Sequence, residues 1–232
     1  AEFNILVNSW AGLDIVKHLE EKYKTPYFHF PYLPIGGIDT SKFLRGVAKF
    51  GKLNEEKVEA FIRREEEKYY SHIEKTADFM LEFRYGIPRK VYSIADSTYA
   101  LGFSRFLLNE LGIIPGKQFI IDDTPEKYQE YIRKQFENIS EYKERTVEIE
   151  FNPDAGADSS KIEEDFKNNP DKRPLILGSG WDKDLAERIK ADLLIISVPV
   201  TYRLILNCGY AGYAGGLRAI EDIYDRVLGT YR

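Results

Sequence analysis

The chain has 232 residues, of which 43% are hydrophobic, and this is enough for a substantial buried core. Its formal net charge is −5, which argues against a nucleic-acid or anionic-membrane partner. A single cysteine excludes an internal disulfide framework and a self-contained, cysteine-rich iron–sulfur or zinc site. The sequence has no apolar stretch of about 18 residues and no secretion signal, so we expect a cytoplasmic protein.

The first 30 residues alternate between strand and helix patterns. Phe3–Val7 and Tyr27–Phe30 are predicted as short buried strands, and Ala11–Tyr23 carries apolar residues at helical spacing. A single βαβ unit of this size is too small to form a stable sheet by itself. We therefore expect the chain to begin in the middle of a domain, as a fragment would.

Two helices are predicted in the next segment. Pro31–Gly37 is predicted as a loop, and Asp39-Thr40-Ser41 is expected to cap the helix that follows it. Asn54 is expected to cap a longer helix that runs from Glu55 to about Arg84. Apolar residues recur in both helices at three- and four-residue spacings, so each helix is expected to bury one face.

From Arg89 onward, strand and helix patterns alternate regularly. The five predicted strands are Lys90–Ile94, Gln118–Ile121, Thr146–Phe151, Pro174–Leu177 and Leu193–Val198. The helices that follow them are predicted to end near Leu111, Tyr142, Asn168, Lys190 and Leu228. Five strands that alternate with helices predict an α/β fold with a doubly wound, Rossmann-like parallel sheet.

A domain boundary is predicted at Gly86-Ile87-Pro88, where turn residues follow the long helix. Residues 1–86 are then a partial Rossmann-like lobe with the long connecting helix, and residues 87–232 are a Rossmann-like C-terminal domain. Two such lobes joined by a long helix suit both an enzyme subunit and a ligand-binding module.

A candidate ligand site lies where two of the predicted strands end. Gly178-Ser179-Gly180-Trp181 follows a strand, and the N–H groups that open the next helix are expected to point into the space above the sheet. Asp96 and Ser97 follow the first strand of the same sheet. Because the first and fourth strands often flank the switch point of a doubly wound sheet, we predict that these residues contact a ligand together.

Metal ligation by the chain's own side chains is weakly supported. Cys208 could coordinate a metal or a cluster, although a lone cysteine beside Leu206 and Gly209 is more often a small buried hydrophobe. The three histidines are His18, His29 and His72. They lie far apart in the sequence, and none of their spacings is typical of metal ligands. We therefore predict no metal site formed by this chain alone.

Two further motifs have a functional and a structural interpretation. Asp122 and Asp123 follow a strand, where acidic residues can contact ribose or a metal, but helix capping explains Asp123 without a ligand. Gly212–Gly216 lacks the spacing of a dinucleotide-binding fingerprint. Close helix packing together with a cap is the favoured explanation of these glycines.

Three segments, in order along nearly the whole chain, share their patterns with one known family. They are Val16–Tyr23 through Pro26 with Thr40 and Phe43-Leu44, then Tyr99–Gly112, and finally Leu175–Gly180 with Gly212–Gly215. Together they resemble the nitrogenase component 1 family, which includes the molybdenum–iron protein subunits, their cofactor-assembly homologues and related reductases.

The resemblance has implications for the parts of such a protein that this chain would represent. Family subunits have three Rossmann-like domains, and the resemblance places this chain at the end of the second and over all of the third. It implies an iron–sulfur or iron–molybdenum-type cluster in the full-length complex, and none in this chain alone. It also implies two partners, which are a homologous subunit in a hetero- or homo-oligomer and a reductase.

The chain departs from the family's pattern at its cofactor ligands. On the α-subunit pattern, Asn8 falls where a cysteine would hold the iron–molybdenum cofactor, and Tyr202 falls near its histidine ligand. Trp181-Asp182 replaces the segment whose lysine approaches homocitrate. The resemblance is therefore to the family's scaffold, and it favours a β-type subunit, an assembly homologue or a divergent relative. Asn8 and Tyr202 join the candidate cofactor-contacting residues on this basis.

Two functions of different class remain open from the sequence. The first is a fragment of a nitrogenase component 1-like oxidoreductase subunit, active in multi-electron reduction or in metallocofactor assembly. The second is a metal-chelate or small-ligand binding module of two-lobed architecture.

Overall fold

The computed structural model describes residues 1–82, 88–142, 146–151, 155–168, 174–201, 204–207 and 209–229. The strands are β1 (Asn4–Val7), β2 (Tyr27–Phe30), β3 (Lys90–Ala95), β4 (Ile114–Ile120), β5 (Ile149–Phe151), β6 (Leu175–Gly178) and β7 (Asp192–Ile195). The helices are α1 (Leu13–Tyr23), α2 (Gly36–Phe50), α3 (Glu55–Lys75), α4 (Ala77–Glu82), α5 (Ser97–Leu111), α6 (Glu126–Glu137), α7 (Ala155–Asn168), α8 (Lys183–Ile189) and α9 (Gly212–Gly229).

The larger sheet has five parallel strands in the order β5-β4-β3-β6-β7. The order runs outward from β3 to β4 and β5 on one side, and from β6 to β7 on the other. The switch point therefore lies between β3 and β6. The predicted doubly wound α/β fold is confirmed. All four residues of β6 are buried, as expected for an inner strand that helices cover on both faces.

The smaller sheet pairs β1 with β2 in parallel, with Leu6 opposite His29. Both strands were predicted, and α1 connects them after a left-handed turn at Gly12, where φ is 90°. The ring of Phe28 packs against Phe43 and Phe50 on α2, which covers one face of this sheet.

The start of α2 differs from its prediction. The helix begins at Gly36 after Ile35, whose side chain cannot cap it, so the expected cap at Asp39-Thr40-Ser41 is wrong. Instead, the carboxylate of Glu110 on α5 accepts a 3.0 Å hydrogen bond from Ile38 N in the first turn of α2. Asp39 is buried one residue further on, where it forms an ion pair with Arg105.

The long second helix is interrupted. Asn54 caps α3 as predicted, because its side chain accepts from Lys57 N at 2.9 Å. The helix then ends at Lys75, and the hydroxyl of the next residue, Thr76, donates to the carbonyl oxygens of two residues in the last turn. The chain resumes as α4, and both the predicted helix end at Arg84 and the boundary at Gly86 lie outside the described residues.

The hydrophobic core is shared between the two sheets. Phe30, the last residue of β2, and Tyr32 just after it lie in one cluster with Leu101, Ile132 and other residues that pack on the five-stranded sheet. Ile35 lies in a second cluster with residues of α5, β6 and α9. The division into residues 1–86 and 87–232 stays a prediction. Within the described ranges, none of the helices combines the length and the apolar character that a bilayer-spanning helix needs.

Candidate functional site

The carboxyl ends of strands from both sheets meet at one place. Ser9, which follows β1, donates from its N–H to Thr98 Oγ1 at 3.0 Å, and Trp10 Nε1 donates to Asp122 Oδ2 at 3.0 Å. Thr98 lies in the first turn of α5 after β3, and Asp122 follows β4. We call this region, which comprises Asn8–Trp10, Asp96–Thr98 and Asp122, the strand-end junction.

Asp122 is the centre of the junction. Its Oδ2 atom accepts from Ser97 N at 2.9 Å, from Ser97 Oγ at 2.5 Å and from the Trp10 indole, while Oδ1 accepts from Thr124 Oγ1 at 2.5 Å. Both donors of the buried Ser97 are therefore used inside the chain. Asp123 does not cap α6 as expected, since that helix begins at Glu126 without a side-chain cap.

Asp96 is the N-cap of α5. Its Oδ1 atom accepts from Thr98 N at 3.0 Å and from Tyr99 N at 3.1 Å. Burial raises the pKa of the Asp96 carboxyl above its ordinary value, and the nearby charge of Asp122 adds to this effect. Carboxylates thus occupy the amides of Ser97, Thr98 and Tyr99, so this helix N-terminus does not favour a second anion.

The Gly178–Trp181 turn uses its own amides. Asp182 Oδ2 accepts from Ser179 N at 2.6 Å and from Ser179 Oγ at 2.9 Å, and Trp181 N donates to Ser179 Oγ. Gly180 N donates to the carbonyl of Pro199 at 2.7 Å. The amides of Ser179, Gly180 and Trp181 thus each have an acceptor within the turn or in the loop above it, and the contact of this turn with a ligand stays a prediction. A Cβ on the buried Gly180 would overlap Thr201, whereas the Trp181 side chain is 76% exposed.

Asn8 shapes the turn between β1 and α1. Its Oδ1 atom accepts from Trp10 N at 3.1 Å and from Ala11 N at 2.7 Å. Its carbonyl oxygen lies 2.7 Å from His29 Nε2, which must carry the proton because a carbonyl only accepts. Burial lowers the pKa of His29, which favours the neutral ring in this position.

A cluster does not fit the side chains that the structure describes here. The side-chain oxygen of Asn8, which the resemblance places at the position of a ligating cysteine, accepts hydrogen bonds from two backbone amides. Across the described ranges, no group of three or more His, Cys, Asp or Glu side chains is placed to hold a metal ion. Tyr202 and Cys208 lie outside those ranges.

The predicted site residues fall into two groups in the structure. Asn8, Asp96 and Ser97 belong to the strand-end junction, whereas the described hydrogen bonds of the Gly178–Trp181 turn lie within the turn or join it to Asp182 and to the loop at residues 196–199. The turn follows β6 and part of the junction follows β3, and because these two strands are paired in parallel, the turn and the junction lie at the same edge of the sheet. Trp10 was not predicted, since nothing local to the sequence relates it to a residue 112 positions away.

Comparisons with known proteins agree with one another. A protein-family model described as "Nitrogenase component 1 type Oxidoreductase" matches residues 1–228. A subunit of the light-independent protochlorophyllide reductase of Angiopteris evecta is 30% identical over 125 residues, which cover 50% of this chain and 23% of that protein.

Two solved structures show the same fold. "Nitrogenase Cp1 at pH 6.5" superposes with a TM-score of 0.74 and 20% identity, covering 99% of this chain and 46% of that chain. "Nitrogenase Cp1 at pH 5" gives a TM-score of 0.63 and 15% identity, with 98% and 47% covered. The chain thus spans 23% of the length of the curated relative and just under half the length of the solved structures.

Proposed function

Because the chain belongs to the nitrogenase component 1 type oxidoreductase family, we propose that it is the scaffold and the cofactor- or partner-contacting part of an oxidoreductase subunit. In this proposal the redox cluster is held by other residues of the complex, and the strand-end junction forms one wall beside it. Residues 1–86 are the partial lobe of the scaffold, and residues 87–232 are its Rossmann-like domain.

The observation that carries this proposal is the set of hydrogen bonds around Asp122. They fix strand ends from two sheets relative to each other, and they use the donors of Trp10 and Ser97 in doing so. A wall of this kind is suited to hold a bound group in one place without ligating it, since its geometry is set before binding. The alternative of a two-lobed binding module is less well supported, because the same bonds join the lobes where such a module would open.

Two partners follow from the family in the same proposal. The protochlorophyllide reductase relative is, by its name, one subunit of an enzyme with several. We propose that this chain likewise works with a homologous subunit and receives electrons from a reductase. Protochlorophyllide, the compound for which that relative is named, is a first compound to test as a substrate.

The proposal is tested by anaerobic co-expression of the chain with a homologous subunit from its own organism. The purified complex is expected to contain iron and acid-labile sulfide and to show a paramagnetic signal after reduction with dithionite. The chain purified alone is expected to incorporate no stable cluster after reconstitution. Stable incorporation of a cluster by the isolated chain would contradict the proposal.

Substitutions in the junction test its role in the complex. Asp122→Asn is expected to slow turnover by about tenfold or more while the cluster signal is kept, because the wall loses an acceptor but no ligand. Asp184→Asn, the same chemical change at an exposed position, is the matched control and is expected to have no effect. Unchanged turnover in the Asp122→Asn complex would show that the strand-end junction has no role in the proposed function.

A further inference from the structure

Glu110, near the end of α5, lies where three helices meet. Its Oε1 atom accepts from Ile38 N at 3.0 Å in the first turn of α2, and its Oε2 atom accepts from the hydroxyl of Tyr69 on α3 at 2.5 Å. Tyr69 is only 1% exposed. A single carboxylate therefore ties two helices to a third one.

The carboxylate is packed closely against the backbone of α2. Gly36 begins that helix with φ at 77°, and a Cβ there would overlap Glu110 Oε1 and the ring of Phe106. On its other side Gly36 lies against Gly216 of α9, where an added Cβ would be 2.5 Å from Gly36 Cα. The chain itself thus takes up much of the space around the carboxylate, so its charge is poorly hydrated.

The groups around Glu110 do not compensate its charge. The titratable ones are Asp39 from α2, Glu66, Tyr69 and Tyr70 from α3, Tyr142 from the segment after α6, and Tyr213 from α9. None of them is a cation. The buried Arg105 on the same helix pairs with Asp39 and with Glu141, and in the described part of the chain no ion pair involves Glu110.

Burial is the main influence on the pKa of Glu110, and it raises this pKa above the ordinary value of 4.5. The negative charge of Asp39 acts in the same direction, while the hydrogen bonds from Tyr69 and from the backbone amides of Gly37 and Ile38 oppose it. A raised pKa in the folded state contributes stability that is fully present below the unfolded pKa and is lost as the pH rises through the folded pKa. The contacts of Glu110 are therefore weaker after its carboxyl has lost its proton.

These contacts hold one end of a segment that reaches the strand-end junction. In residues 31–38, Pro31 O accepts from Ser9 Oγ at 2.8 Å, and Leu33 N donates to Thr98 O at 3.3 Å. At the other end of the segment, Ile38 N donates to Glu110. We propose that Glu110 is a proton-operated switch, which loosens the α2 end of this segment when it loses its proton and fastens it when it takes the proton up.

The switch concerns the anchoring of residues 31–38, so it stands whether or not the strand-end junction lies beside a redox cluster. Its effect is best measured locally, because the stability of the whole chain also depends on other groups that titrate between acidic and neutral pH. His29 is one of them, and burial lowers its pKa. Its contribution to stability therefore changes with pH in the opposite direction to that of Glu110.

Hydrogen exchange of single amides, measured by NMR on the intact chain and corrected for the intrinsic pH dependence of exchange, is the first test. The protection of the Ile38 amide is expected to fall by at least about threefold between pH 4.5 and about pH 8, because its acceptor ionises in this range. In Glu110→Gln, the side-chain oxygen still accepts from Ile38 N and the NH₂ group can donate to Tyr69, so most of this pH dependence is expected to disappear. Glu74→Gln, the same change at an exposed position of α3, is the control and is expected to behave as the parent does.

A titration of the side-chain carboxyl carbon by NMR measures the protonation of Glu110 directly, and its signal is the one missing from the Glu110→Gln spectrum. The midpoint is expected above pH 4.5. Tyr69→Phe removes a donor that favours the ionised carboxyl, so it is expected to move the midpoint further up. The signal that moves in this variant also identifies Glu110 if Glu110→Gln does not fold.

Three outcomes would overturn the proposal. They are a midpoint at or below pH 4.5, an Ile38 amide whose protection does not fall as the pH rises, and a fall in protection that persists unchanged in Glu110→Gln. None of these measurements depends on a bound cluster or on turnover, so their outcome is separate from that of the proposed function.

Discussion

At the scale of single residues, Asp122 accounts for most of the order at the strand-end junction. A carboxylate that accepts several hydrogen bonds makes stronger contacts than a neutral acceptor would. One of its donors is the indole of Trp10, whose ring also stacks on Tyr128 with centroids 6.1 Å apart and planes at 27°. The indole thus serves two contacts at once, and the two can be separated by substitution.

Trp10→Phe is expected to lower the free energy of unfolding by about 1–2 kcal/mol, because it keeps an aromatic ring against Tyr128 but removes the donor to Asp122. Urea denaturation followed by circular dichroism measures this. Trp181→Phe is the matched control, and its effect is expected to stay within about 0.5 kcal/mol since that side chain is 76% exposed. Equal losses in the two variants would contradict the role of the Trp10–Asp122 hydrogen bond.

His29 is expected to make stability depend on pH. Burial lowers the pKa of its imidazole below the ordinary value of 6.5, and the positive charge of Lys17 acts in the same direction. The unfolded chain therefore binds a proton at this position more readily than the folded chain. The contribution of His29 to the free energy of unfolding is fully present above pH 6.5, and it is lost as the pH drops through the folded pKa.

Urea denaturation at a series of pH values between neutral and mildly acidic measures this dependence. His29→Gln is expected to reduce the slope in that range. His18→Gln, at an exposed position on α1, provides the comparison. An unchanged slope in the His29 variant would show that the ring does not titrate as its burial requires.

At the scale of elements, local signals in the sequence predicted the structure where the interacting partners are close along the chain. Asn54 was identified as a cap because its acceptor and the amide of Lys57 are three residues apart. The start of α2 was missed because its first turn is capped by Glu110, 72 positions away from Ile38. Asp39 has the residue type of a cap, but Arg105 holds it in a buried ion pair instead.

The same reasoning explains how much of the candidate site could be predicted. The switch point beside Asp96 and Gly178 could be predicted because strands and helices alternate regularly, and the first and fourth strands of a doubly wound sheet often flank that point. The sequence did not predict which acceptors the amides of the turn bind. Gly180 N donates to the carbonyl oxygen of Pro199, which belongs to a later loop. The glycines near Gly212 were interpreted as packing residues, and this is confirmed at Gly215 and Gly216.

Gly216→Ala tests the packing of α9 on α2. A Cβ at this position would lie 2.5 Å from Gly36 Cα and 2.8 Å from Gly36 N, so two backbones must separate to admit it. The expected loss of stability is about 1–3 kcal/mol, measured by thermal or urea denaturation. Gly209→Ala is the control, since nothing lies within 4 Å of its added Cβ. An unchanged free energy of unfolding in the Gly216→Ala variant would show that α9 and α2 can move apart without a loss of stability.

At the scale of the whole molecule, the two sheets behave as parts of one packed unit. Arg105 on α5 and Asp39 on α2 form an ion pair with side chains only 4% and 2% exposed. The guanidinium also donates to the carbonyl oxygens of Asn138 and Ile139, so its charge is matched on several sides. Together with the cluster that joins Phe30 to Leu101, this pair ties the residues before α3 to the five-stranded sheet.

We therefore expect the intact chain to unfold in a single cooperative transition. In a Trp181→Phe background, emission from Trp10 reports on the junction between the sheets, while circular dichroism reports on all helices, and the two midpoints are expected to coincide. Asp39→Ala is expected to shift both midpoints together and to lower the free energy of unfolding by up to about 3–5 kcal/mol, because the buried Arg105 charge loses its buried partner and keeps only the partly exposed Glu141 carboxylate. Two separate transitions, with the five-stranded sheet still folded after the Trp10 signal is lost, would contradict this. They would show that the predicted boundary at Gly86 also divides the chain into independently stable parts.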